Sequence, residues 1–122
     1  THRALVSHED CARLREIGTP ATIATALCVE RRISGYETDL PMHRLGAAPV
    51  HDALAVCAII DPSVVTTQHI YVDVETEGEL TEGRTVCDFR HRSLGQPNCH
   101  FATDADEPKF VRMLMEILGR TA

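Results

Sequence analysis

His51 and Asp52 stand side by side between a small-residue lead-in, Gly46-Ala47-Ala48-Pro49, and an apolar run from Ala53 to Ile60. An imidazole titrates near neutral pH and can pass a proton to a leaving group. A carboxylate is a hard oxygen donor suited to Ca²⁺ or Mg²⁺. Successive residues at a helix N-terminus point roughly 100° apart, so the two side chains would serve neighbouring subsites from one platform. The positive end of the helix dipole favours the ionised form of Asp52. The competing role for the pair is structural, as the cap of the helix that follows.

The elements that must hold this pair are legible in outline. Ala53 to Ile60 is apolar on every side and, at about eight residues, too short for a membrane span. A helix without a polar face is expected to be buried all round, with Asp61-Pro62 as its stop. Upstream, Ser7 caps a helix over His8–Ile17, Val6 and Cys11 have the spacing of a hydrophobic staple, and Gly18 ends it. Thr19-Pro20 opens a second helix, expected to reach Ile33, to bury Ile23, Leu27, Ala24 and Cys28, and to stop at Ser34-Gly35. Periodicity then disappears, and residues 35–50 read as a long loop of the kind that often carries function.

Downstream, His69 to Glu77 alternates, with Ile70, Val72, Val74 and Thr76 on one face and Tyr71, Asp73, Glu75 and Glu77 on the other. The acidic row is read as a solvated strand face. Arg84–Phe89 and Asn98–Thr103 are two further short strands. Asp104 or Asp106 starts a final helix whose stripe is Phe110, Val111, Leu114, Ile117 and Leu118, closed by Gly119. The class is α/β: helices, one buried helix, about three short and mostly antiparallel strands, and a C-terminal helix. So few strands wrap an all-apolar helix thinly, and the chain reads as part of a domain. A first residue that is Thr1, not Met, suggests a piece of something longer.

Composition narrows the partners. The 122 residues carry a net charge of −6, which argues against a nucleic-acid partner. Aromatic residues make up only 4% with no Trp, which weakens a base-stacking platform. No lipidation motif, signal peptide or membrane-length apolar stretch is present, so no membrane partner is expected. Five cysteines, odd in number and without a C-x-x-C pair, read as reduced thiols of a cytoplasmic protein.

Several segments in order carry a resemblance. They are Thr1–Leu5, Ala48-Pro49-Val50-His51-Asp52-Ala53-Leu54-Ala55-Val56, Asp61-Pro62-Ser63, Tyr71-Val72-Asp73-Val74-Glu75, Gly78 through Asp88, and Pro97-Asn98. Together they closely resemble the C-terminal part of the inosine-uridine nucleoside hydrolase family. The Val86-Cys87-Asp88-Phe89-Arg90 version looks most like its uridine- and pyrimidine-preferring branch.

The resemblance implies that residues 1–122 form the C-terminal part of a nucleoside hydrolase domain, with 35–50 as its active-site loop. The implied reaction splits the N-glycosidic bond of a ribonucleoside such as uridine or inosine, giving ribose and free base in purine and pyrimidine salvage. It implies a Ca²⁺ ion that orients the ribose hydroxyls and the attacking water. It makes Asp52 a metal ligand, His51 the residue assisting the departing base, and Tyr36 an aromatic that closes over the base. A cytoplasmic homo-oligomer is implied as well.

The sequence departs from the family pattern at Ala53, where members commonly carry Pro. The family's aspartate-rich N-terminal motif is also missing, and one carboxylate cannot make a calcium site of six to eight oxygens. The isolated chain is therefore expected to be inactive, to bind no Ca²⁺ tightly, and to need the N-terminal part of the fold as its partner. The alternative is a non-catalytic remnant or interaction domain in which His51 and Asp52 merely cap a helix. A weaker third reading is a stand-alone divalent-metal binder built on the acidic strand row.

Overall fold

The computed structural model describes residues 2–39, 44–90, 92 and 95–120. The chain forms two compact units, one from Thr1–Val65 with Asp104–Ala122 and a smaller one from Thr66–Thr103.

The larger unit begins with a strand, β1 (Leu5–Ser7), paired antiparallel to β2 (Ala47–Pro49), with Leu5 opposite Pro49 and Ser7 opposite Ala47. Sequence reading passes over both, because three-residue strands of small residues carry no alternation. Helix α1 (His8–Ile17) follows as expected. Ser7 Oγ accepts the Asp10 amide at 3.2 Å, and Asp10 Oδ2 accepts the Ser7 amide at 2.9 Å, a reciprocal capping box. Gly18 ends the helix in the left-handed region at φ 79°, where a side chain would be strained.

Helix α2 differs from expectation in length and in phase. It runs Pro20–Asp39, through Ser34-Gly35 and into the region read as loop. The Ser34 hydroxyl donates back to the Glu30 carbonyl and Thr38 to that of Ser34, so these polar residues are accommodated within helical geometry. Its buried face is Thr22, Ala26, Val29 and Ile33, while Ile23 and Leu27 are 41% and 56% exposed and Ala24 and Cys28 are exposed. Both stripes have helical spacing. The less apolar one is buried, and the Thr22 hydroxyl donates to the Thr19 carbonyl at 3.0 Å, so its burial strands no polar group. The expected loop 35–50 is correspondingly reduced: 35–39 is helix and 47–49 is strand, while residues 40–43 lie outside the described residues.

Helix α3 (His51–Ile60) is where the apolar run was expected, but it is not buried all round. Leu54 and Cys57 face the core with Val6, Leu14, Val64 and Phe110, whereas Val56, Ile59 and Ile60 are 55%, 82% and 57% exposed. After a short 3-10 turn at Pro62–Val64, the unit is completed by α4 (Glu107–Leu118), capped by Asp106 and burying Phe110, Val111 and Leu114.

The remaining strands are β3 (Val65–Ile70), β4 (Val72–Val74), β5 (Thr85–Cys87) and β6 (Cys99–Ala105), all but the outer ends of β3 and β6 belonging to the smaller unit. β3 pairs with β6, and β4 pairs antiparallel with β5. The single strand expected over His69–Glu77 is thus two, broken at Tyr71 where the chain changes partners. Asn98 marks the change: its side chain accepts from the Val72 amide at 2.9 Å and donates to the Val72 carbonyl at 3.0 Å. In the acidic row, Asp73 accepts from the Tyr71 hydroxyl and Glu75 accepts the Glu77 and Gly78 amides. These bonds hold both carboxyls below their ordinary range.

Asp61 joins the end of α3 to the start of α4. Its carboxylate accepts from the Ser63 amide and hydroxyl and pairs with Lys109 Nζ at 2.6 Å. Lys109 and then Ser63 pull its pKa from 3.8 down to about 2. A depressed carboxylate contributes stability that is complete above its unfolded value and lost as pH falls through its folded one. Asp61→Asn should therefore lower the melting temperature near neutral pH, and the gap to wild type should close between pH 4 and pH 2. A gap that stays constant across that range would contradict the assignment.

Candidate active site

The platform for His51 and Asp52 is built from the β1–β2 pair, the first turn of α3 and the middle of α2. Leu5, Ala47, Ala48 and Pro49 are all buried. A buried two-stranded ribbon leaves outward-facing backbone groups that must find partners elsewhere. The Leu5 amide donates to Glu107 Oε2 at 2.8 Å, and the Pro49 carbonyl accepts from Arg32 Nε at 2.8 Å. Glu107 also pairs with Arg44 at 2.6 Å, and the His8 amide donates to the Gly46 carbonyl at 3.0 Å. The chain is thereby held on both sides as it passes from β2 into α3.

Val50, not His51 or Asp52, is the N-cap of α3, and among the described residues no side chain makes a capping hydrogen bond there. The helix-cap role offered as the alternative for the pair is therefore not the one the structure displays. His51 is half-buried and Asp52 exposed, on consecutive positions of the first turn. The His51 ring lies 5.5 Å from that of His2, centroid to centroid, at 57°. Burial, then the Arg32 charge, then His2 lower the His51 pKa, against the opposing pull of Asp52. The imidazolium of such a group is a stronger acid than an ordinary one, and less populated at neutral pH.

Tyr36 lies on α2, not in a loop, and is half-buried against the core. Its hydroxyl accepts from Arg32 Nη2 at 3.3 Å, and the Arg32 guanidinium carbon sits 5.1 Å from the ring centroid. The structure thus brings His51 beside His2 and links Tyr36, through Arg32, to the residue two positions before His51. Sequence reading missed both His2 and Arg32. Arg32 would compensate the dipole of a helix ending near Ile33, but α2 continues seven residues past Arg32, to Asp39.

Calcium requires six to eight oxygens, and no group of three or more His, Cys, Asp or Glu side chains able to hold a metal occurs among the described residues. Asp52 offers one carboxylate. The residues described here do not make a calcium site by themselves, nor does the acidic row of the smaller unit.

A family model described as inosine-uridine preferring nucleoside hydrolase matches residues 1–112. The chain belongs to that family. Among its relatives, the pyrimidine-specific ribonucleoside hydrolase RihA of Klebsiella pneumoniae is 32% identical over 119 residues, covering 98% of this chain and 38% of the relative. The RihA of an Escherichia coli O9:H4 strain is 34% identical over 118 residues, covering 97% and 37%. The solved purine-preferring ribonucleoside hydrolase from Gardnerella vaginalis superposes with a TM-score of 0.76 at 31% identity, covering 95% of this chain and 36% of that one. The chain thus spans little more than a third of the length of these hydrolases, and the matched portion is C-terminal. The α/β architecture expected from the sequence is the one found, and it matches the C-terminal portion of this solved hydrolase.

Glu107 gives this arrangement a direct test. Removing the acceptor of the buried Leu5 amide in Glu107→Ala should destabilise the fold by about 1–3 kcal/mol. Glu107→Gln keeps an acceptor and loses only the partly exposed Arg44 pair, so its effect should stay within about 1 kcal/mol. Equal losses in denaturant titrations would show that the Leu5 bond carries no weight.

Proposed function

We propose that this chain supplies one wall of the active site of a ribonucleoside hydrolase, which adds water across the N-glycosidic bond to release ribose and a free base. The observation that carries the reading is the His51-Asp52 pair, held at the first turn of α3 without a capping role, in a chain of the nucleoside hydrolase family. In the reaction the bond between C1′ and the base nitrogen breaks, its electron pair leaves with the base, and water adds to C1′. His51, as the imidazolium, delivers a proton to the departing base. Positive charge builds on the ribose ring as the base leaves, in an oxocarbenium-like state.

Asp52 is proposed as one ligand of a Ca²⁺ ion whose remaining ligands lie outside this chain. Tyr36 is proposed to lie against the base, and the segment between α2 and β2, inside residues 35–50, to be the active-site loop. Alone, the chain is inactive and binds no Ca²⁺ tightly. Its partner is the N-terminal part of the fold, which the exposed Val56, Ile59 and Ile60 of α3 suit. A cytoplasmic, homo-oligomeric salvage enzyme is the setting proposed for the assembled protein. Pyrimidine and purine preferences both occur in the names of its relatives, so uridine and inosine are both assayed.

The test joins this chain to the N-terminal part of a relative and measures hydrolysis of the two nucleosides. Activity is expected to appear on assembly, to vanish in Asp52→Ala, and to fall about 10²- to 10⁴-fold in kcat in His51→Ala. A properly folded assembly without activity, or full activity in Asp52→Ala, would overturn the reading.

A further inference from the structure

We infer that Arg32 is a positioning residue for the hydrolytic site, one guanidinium that fixes both the backbone leading into His51 and the side chain of Tyr36. This rests on the proposed hydrolase reading, and deepens it by naming a residue that the His-Asp pair does not reveal.

Three observations converge on this residue. Pro49 is among the most fully buried side chains of the protein, and its carbonyl is taken by Arg32 Nε at 2.8 Å. Next, among the described residues no side chain caps α3; its first turn is closed by the Leu54 amide donating to the Val50 carbonyl at 3.1 Å. Arg32 adds a side-chain hold on Pro49, the residue immediately before that N-cap. Finally, the same guanidinium donates to the Tyr36 hydroxyl and lies over its ring, one helical turn away on α2. Arg is suited to this double role because its planar fork can bond in one direction and stack in another; a Lys can do only the first well.

A group that sets the angle of His51 should matter more in the transition state than in ground-state binding. In the assembled hydrolase, Arg32→Met is expected to lower kcat roughly ten- to hundred-fold. KM for uridine or inosine should stay within about three-fold. Arg32→Lys should recover part of the loss by restoring a donor to Pro49. In the His51→Ala background, the loss from Arg32→Met should be smaller than in the wild type, the remainder being the part exerted through Tyr36. Equal fold-losses with and without His51, or no loss of kcat despite a lowered melting temperature, would overturn the inference and leave Arg32 a purely structural contact. If the assembled wild type hydrolyses neither nucleoside, the hydrolase reading fails separately. Amide exchange then decides the anchoring: faster exchange at Leu54 in Arg32→Met supports it, and an unchanged rate overturns it.

Discussion

The buried ribbon of β1 and β2 is the constraint on which the larger unit depends. It has only two strands, so the outward backbone groups of the Leu5–Pro49 pair cannot be met by a neighbouring strand. Glu107 from α4 satisfies one and Arg32 from α2 the other. Two elements far apart in sequence are thereby locked to the same three-residue strands, and α3 leaves from their end. The position of His51 and Asp52 is a consequence of how that small ribbon is paired.

The helix that follows has two characters. Its inner side, Leu54 and Cys57, is part of the core with Phe110 and Val64. Burial pushes the Cys57 thiol pKa up, and that of Cys11 to about 11, so both act as apolar filling, not as nucleophiles. The outer side of α3 is apolar and open. The chain spans about a third of its relatives' length, and His51 and Asp52 stand in the first turn of this helix.

Much of this was legible in the residues, and the failures have physical causes. Ser7, Gly18, Asp106 and the Phe110–Leu118 stripe gave α1 and α4 correctly, because caps and a single apolar stripe are local signals. Helix α2 failed because Ile23 and Leu27 compete with Thr22, Ala26, Val29 and Ile33, and only the packing partner decides which stripe is buried. Strands β1 and β2 failed because their reason for existing is each other. For the site, His51 and Asp52 could be singled out from residue type and family resemblance. Arg32 could not, since its meaning lies in a carbonyl seventeen residues away that local pattern does not register.

If Asp52 and His51 belong to a site completed by the rest of the fold, both must meet the metal and the base in the assembled protein. The most direct measurement is a crystal structure of the assembled protein with Ca²⁺ and a ribose-containing inhibitor. An Asp52 carboxylate oxygen is expected about 2.3–2.6 Å from the ion, with the His51 ring facing the base. An Asp52 carboxylate turned to solvent, with metal and ribose bound away from the first turn of α3, would contradict it.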